Sequence, residues 1–214
     1  MKDIAIIGTG DFASIVYQIL KKHERNIVCF SVDDEYLNDD NKSFWDIPVI
    51  GTTELIRKYT PDTTELVAGF IGNPMFDVRQ KKCNEFMAFG YSFANVIDTD
   101  TSYAAEIGEG NVIMQNVSLG FDVHIGDGNI IWPGAVFPHN NYIGDFNNIA
   151  PTASLSGYSC VGSHCYIGNN SIIKNRIKVN DYTFVGAGAY IRHDTKPHTI
   201  IVPPRSYELE RPND

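Results

Sequence analysis

From Ile107 to Ile191 every sixth residue is apolar: Ile107, Ile113, Leu119, Ile125, Ile131, Phe137, Ile143, Ile149, Leu155, Val161, Ile167, Ile173, Val179, Val185 and Ile191. Small or slim residues stand two positions before most of them, as at Asn111, Ala135, Ala153, Cys165 and Ala189, and glycine often follows, as at Gly108, Gly126, Gly144 and Gly162. A period of six is neither helical nor the two-residue alternation of a strand. It fits short strands joined by corners, three to a coil, with each aliphatic side chain pointing into a triangular prism. One inserted residue anywhere in that stretch breaks the register, and none occurs.

The first hundred residues follow a different rhythm. Asp3 to Gly8 is a short apolar run ending in glycine, and Phe12 to Lys22 carries apolar residues at helical spacing, so the chain opens as strand, tight turn, helix. Further strands are predicted over Asn26 to Val32, Ile47 to Ile50, Glu65 to Ile71 and Ser92 to Ile97. Thr53 is placed to cap a helix running through Tyr59; Asn73 followed by Pro74 is placed to open another, which Gly90 ends. Alternating strands and helices imply a small, mostly parallel sheet covered on both faces. The chain thus divides into an α/β domain over residues 1–98, a repeat domain over 99–194 and a tail over 195–214.

With 214 residues, 43% of them apolar and 20% charged, the chain has enough material for a buried core, which excludes a disordered or collagen-like polymer. The net charge of -9, without a basic cluster, argues against nucleic-acid or anionic-membrane binding. No apolar stretch reads as a signal sequence or a membrane span, so a cytoplasmic location is expected. Cys29, Cys83, Cys160 and Cys165 match no zinc or redox spacing, which suggests free thiols in a reducing compartment, with Cys165 as an inward-facing slim residue; no metal is expected.

Two features carry chemistry. The turn Gly8-Thr9-Gly10-Asp11-Phe12-Ala13 has the G-x-G-x-x-A form, in which glycine lets backbone approach a diphosphate and the following helix supplies free N–H donors. Asp33 and Asp34 end the second strand, where a carboxylate can accept from a ribose or a base; on these grounds a sugar nucleotide and NAD fit equally well. In the repeat, residues 18 apart stack roughly 5 Å from each other, the spacing of adjacent strands. One such column runs Phe121, His139, Gly157, Asn175, His193. Gly157 leaves open space beside the His139 imidazole and brings a backbone N–H, the minimal equipment for acyl transfer.

At these residues the sequence resembles the left-handed β-helix acyltransferases that carry a small Rossmann-like N-terminal domain. That family includes bacterial nucleotide-sugar N-acetyltransferases and sialic acid O-acetyltransferases of surface glycan pathways. The resemblance runs through IIGTGDFAS, VDDE, IGNP, VFPHNNYIGDFNNIAPTASLSGYSCVG and VGAGAYI, nearly the whole chain. It implies a left-handed parallel β-helix behind the α/β domain and a homotrimer with acetyl-CoA between neighbouring prisms. It also implies acetyl transfer by direct attack onto a nucleotide-linked amino sugar of the 4-amino-4,6-dideoxy type. A sugar hydroxyl acceptor and a catalytically idle nucleotide-sugar-binding trimer are the alternatives. By the resemblance His139 is the general base, Asn140 its orienter and Gly157 the oxyanion donor. Gly8, Gly10, Asp33, Asp34 and Asn73 hold the nucleotide sugar, and Trp132 stands near the acceptor. Gly157, Gly186, Ala187 and Pro203 meet the coenzyme. Three departures stand out: Asn140 where the family has Asp or Glu, Asn148 where some members have a second histidine, and WPGA at Trp132 to Ala135 in place of a polar segment.

Other prominent residues receive plainer readings. His193 marks a solvated end of the prism, and His23, His124 and His164 are assigned no chemistry. Tyr142, Phe146 and Tyr158 are expected at the coenzyme or at the packing between prisms. Arg79, on the helix after IGNP, is read as a solvent-facing helix charge, with pairing to a phosphate as the alternative.

Overall fold

The computed structural model describes residues 1–38, 42–73 and 77–204. Strand β1 (Asp3–Ile7) leads through the glycine turn into helix α1 (Asp11–Lys22), followed by β2 (Ile27–Val32), the short β3 (Ser43–Phe44), β4 (Ile47–Gly51), helix α2 (Thr52–Lys58) and β5 (Thr64–Ala68). Helix α3 (Val78–Met87) completes the α/β layers. The sheet order is β3-β4-β2-β1-β5, parallel except for the β3–β4 pair. Apolar residues of α1 (Phe12, Val16, Ile19, Leu20) pack with Ile4, Ile6 and Phe30 of the sheet, as their helical spacing requires.

Three predicted boundaries move. The strand expected over Ser92 to Ile97 divides: Phe93 bridges Leu66 on the α/β sheet, while β6 (Val96–Ile97) pairs with Val112 and Ile113 and is the first rung of the prism. Helix α2 is capped from outside its own sequence. Its N-cap is Gly51 rather than Thr53, and the Asp34 carboxylate accepts from the Thr53 N–H and hydroxyl. Helix α3 opens at Val78 behind Asp77, which takes a left-handed backbone conformation; Pro74 lies outside the described residues. At the far end Gly90, with φ +90°, closes that helix as expected.

Behind β6 the chain winds as a parallel β-helix whose strands, mostly of two residues, form three sheets, each strand pairing with the one 18 residues on. Of the fifteen sixth-position residues, all but Ile107 are buried, and together they form one continuous core. The slim positions do more than leave room. Asn111, Asn129 and Asn147 form a ladder in which each Oδ1 accepts the backbone N–H one coil above, ending at Cys165 (2.7–2.9 Å). On the turn beside them the Asp127, Asp145 and Asp181 carboxylates and the Ser163 hydroxyl accept the N–H groups of Glu109, Asp127, Ser163 and Asp145 respectively (2.8–2.9 Å). These side chains satisfy corner donors that the two-residue strands leave free.

One prism face carries the α/β domain. Val112, Met114 and Ile130 join the core beneath α1, and Phe146 packs with Cys83, Phe86 and Phe93, so Phe146 is buried under the domain instead of lining a groove between prisms. Arg79 corrects its expectation most sharply. It is 4% exposed and donates from Nε to Gly128 O of the prism (3.2 Å) and from Nη1 to Ala68 O (3.0 Å) and Phe70 O. Its guanidinium lies between the rings of Phe12 and Phe70, and burial pushes its pKa down to about 10. A helix that presents little apolar surface is thus anchored through a buried charge.

Candidate active site

The α/β domain holds a cavity of about 500 Å³ at the carboxyl ends of β1 and β2, beside the crossover to β5. This is the place where open α/β sheets bind ligands. Ile7 and Gly8 of the first turn, Ser31, Val32 and Asp33 at the end of β2, Tyr36, Phe70, and Val78, Lys81, Lys82 and Glu85 of α3 line it. Gly8 has φ +103°, which side chains rarely adopt, and a Cβ there would approach Gly69 O to 3.2 Å. A Cβ on Gly10 meets nothing within 4 Å, so packing inside the chain does not account for that glycine.

The two acidic residues of VDDE part ways. Asp33 lines the cavity and accepts from Lys82 Nζ (2.5 Å) and Thr52 Oγ1 (3.2 Å). Burial opposes the Lys82 charge, but the Asp33 and Glu85 carboxylates outweigh it and hold the ammonium above its usual pKa. Asp34 is occupied at the start of α2, packed so closely that a Cβ on Gly51 would lie 2.0 Å from its Oδ1. Lys82 itself is a cavity residue that sequence reasoning missed; only the sheet topology brings it across 49 positions to Asp33. Asn73 is exposed on the loop ahead of α3.

The second candidate element is a corner of the prism. His139 ends the strand Val136–His139, and the coil above places Gly157 directly over its ring: a Cβ at 157 would lie 2.2 Å from His139 Cε1 and 2.4 Å from Nε2. Any larger residue displaces the imidazole. The Gly157 carbonyl accepts from Asn175 Nδ2 (2.7 Å) and the Arg176 N–H (3.2 Å), whereas among the described residues no backbone acceptor takes its N–H. Tyr158 stands edge-on to His139 at 5.2 Å and carries Arg176 over its own ring. Asn140, with φ +52°, turns its Oδ1 back to His139 Nδ1 (3.1 Å). The predicted trio of His139, Asn140 and Gly157 is therefore brought together.

Trp132 and Asn148 meet each other instead of standing at that corner. The indole N–H donates to Asn148 Oδ1 (2.9 Å), and the ring packs against Phe12 at 5.9 Å, at the seam between domain and prism. His164, read as chemically plain, stacks between Phe146 and Tyr182 and approaches Asp77 at 3.2 Å, again at the seam. Higher on the prism, a Cβ on Gly186 would lie 2.9 Å from Pro203, so these two expected coenzyme contacts are neighbours, with Ala187 exposed beside them. Cys29 and Cys165 are buried thiols, both pushed up to about 12 by burial, and so are not nucleophiles. Among the described residues no His, Cys, Asp and Glu group is placed to hold a metal ion, and no helix is long and apolar enough to cross a membrane.

Comparison with known proteins fits these two elements. Residues 3–86 match the PglD N-terminal domain, and residues 104–139 match the bacterial transferase hexapeptide (six repeats). No curated protein sequence matches significantly. Among solved structures, PerB from Caulobacter crescentus in complex with CoA and GDP-perosamine is 24% identical with a TM-score of 0.79, over 94% of this chain and 93% of that one. The acetyltransferase domain of PglB from Neisseria gonorrhoeae in complex with acetyl coenzyme A is 25% identical with a TM-score of 0.80, over 93% and 95%. WeeI from Acinetobacter baumannii is 18% identical with a TM-score of 0.66, over 95% and 97%. The chain thus joins a PglD N-terminal domain to a left-handed hexapeptide β-helix, the architecture of the bacterial hexapeptide acetyltransferases it matches.

Proposed function

We propose that the chain is an acyltransferase that moves an acetyl group from acetyl-CoA to the amine of a nucleotide-linked amino sugar. The observation that carries this reading is the half-buried His139 ring packed beneath Gly157, whose backbone N–H is taken by no backbone acceptor among the described residues. The resemblance to PerB, solved with CoA and GDP-perosamine, and to the PglB domain, solved with acetyl coenzyme A, supports both substrates. The α/β cavity, with Gly8, Asp33 and Lys82, takes the nucleotide. Gly186, Ala187 and Pro203 lie along the path of the coenzyme.

In the reaction His139 Nε2 accepts a proton from the acceptor nitrogen as that nitrogen attacks the thioester carbon. The Gly157 N–H donates to the oxygen that gains charge. A C–N bond forms and the C–S bond breaks, and the imidazolium returns its proton to the departing thiolate. No serine or accessible thiol beside a base is needed, so transfer is direct.

A homotrimer completes the site in this reading, with the groove between two prisms formed around the exposed side chains Val136, Tyr142, Tyr158 and Ile172. The protein works where both substrates are made, in the cytoplasm.

Thermal denaturation against acetyl-CoA and a panel of nucleoside diphosphates tests the binding half, since a ligand of the folded state raises the melting temperature. A shift with acetyl-CoA and with one nucleotide is expected; a nucleotide shift with none for any acyl-CoA contradicts transfer. An amine acceptor further requires activity to rise with pH through the amine's pKa, a limb that a hydroxyl acceptor lacks.

A further inference from the structure

We infer that Asp122, one coil below the site, is a positioning residue that fixes the protonation pattern of His139 through Asn140. The inference rests on the transferase reading for its consequence but on geometry for its substance. Asp122 and Asn140 are 18 residues apart and therefore stacked, both with left-handed backbone (φ +56° and +52°) that points their short side chains along the corner. Asn140 Nδ2 donates to Asp122 Oδ2 at 2.6 Å, and Asn140 Oδ1 faces His139 Nδ1 at 3.1 Å. The other Asp122 oxygen meets His124 Nε2 at 3.1 Å. His124 is held in turn by stacking on Tyr142 at 4.4 Å and by Glu106 at 3.6 Å.

For a neutral His139 ring the chain of donors and acceptors from Asp122 has one solution. An ionised carboxylate only accepts, so Asn140 must turn its NH2 to Asp122 and its carbonyl oxygen to His139. A carbonyl oxygen also only accepts, so His139 carries its proton on Nδ1 and leaves the Nε2 lone pair free to act as base. Without Asp122 the Asn140 amide is free to rotate and donate to Nδ1, which puts the proton on Nε2 and idles the base. The arrangement also explains why residue 140 is an amide: a carboxylate there would lie at hydrogen-bond distance from Asp122, two like charges on one corner. The negative charge has moved one coil down rather than vanished.

The test compares wild type, D122N and the exchanged pair D122N/N140D. In the exchanged pair the amide at position 122 donates to the carboxylate at position 140, which accepts from His139 Nδ1, so the pattern is restored with its polarity reversed. Long-range nitrogen–proton NMR of the neutral His139 ring in the free protein is expected to show the Nδ1–H form in wild type and in the exchanged pair, and a mixture in D122N. For acetyl transfer, kcat is expected to fall about ten- to hundred-fold in D122N, with KM for acetyl-CoA unchanged, and to recover to within a few-fold in the exchanged pair. An unmoved ring signal in D122N, or an exchanged pair no better than D122N, overturns the inference. The ring measurement needs no substrate. A shifted tautomer in a protein that transfers nothing rejects the transferase reading alone, and active wild type with an unmoved tautomer rejects the role of Asp122 alone.

Discussion

In the prism His139 meets Gly157, and Asn140 meets Asp122, because each pair is separated by one coil of 18 residues. In the α/β domain Asp33 meets Lys82 across 49 residues, and Asp34 meets Thr53 across 19, for reasons that no single spacing contains. A translational repeat makes position along the chain equivalent to position in space, so a site built on it follows by arithmetic. A doubly wound sheet makes neighbours out of strand order, crossover direction and helix docking, and its site emerges only when all three are known. The comparison also separates two ways of holding charge. The prism distributes its carboxylates along a corner, each accepting one backbone N–H, whereas the α/β domain places a single guanidinium at the seam and surrounds it with carbonyls.

The comparison is most strongly tested where the prism core is continuous. Phe137→Ala removes a fully buried ring between coils and is expected to cost about 3–5 kcal/mol, measured by denaturant unfolding followed at a prism probe. At the seam, Arg79→Met leaves the Gly128 and Ala68 carbonyls without their donor and is expected to cost about 2–3 kcal/mol, with the loss concentrated in hydrogen-exchange protection of α3. Asp34→Ala removes the cap of α2 and is expected to cost about 1 kcal/mol while leaving nucleotide affinity unchanged; Asp33→Ala, by contrast, is expected to weaken nucleotide binding.

The smallest effect is electrostatic. Burial raises the Asp98 carboxyl, but Lys22 and His23 of α1 and its C-terminus outweigh burial and hold it below the usual range. A group depressed in the folded state stabilises fully above its unfolded pKa, near 3.9, and loses that contribution as pH falls through the lower folded value. The contact between α1 and the prism is therefore expected to weaken below about pH 4, and Asp98→Asn is expected to remove that acid-side dependence. A melting-temperature profile from pH 3 to 7 for both proteins checks it.

Legibility from sequence followed the same division. The inward column, the phase of every coil and the His139–Gly157 pair were readable from the period of six, and the strands and α1 from their apolar spacing. The Asn140–Asp122 contact was open to the same arithmetic, since both residues belong to one column. What hides it in the sequence is that Asn140 adjoins His139 along the chain, whereas Asp122 reaches it only from the coil below. Arg79 was not legible, because a charged residue on a polar helix reads as solvent-facing until the helix is docked. Nor was the role of Asp34, which satisfies a helix start 19 positions away. The split of Ser92 to Ile97 between two sheets was hidden for a related reason: an apolar run shows that a strand forms but not which sheet it joins.

If the corner under Gly157 performs the transfer, His139→Ala removes its base. Steady-state acetyl transfer from acetyl-CoA to a nucleotide-linked amino sugar is measured beside melting temperature and acetyl-CoA affinity. A fall in kcat of about a hundred-fold or more is expected, with folding and coenzyme binding intact. Turnover that survives the substitution unchanged contradicts it.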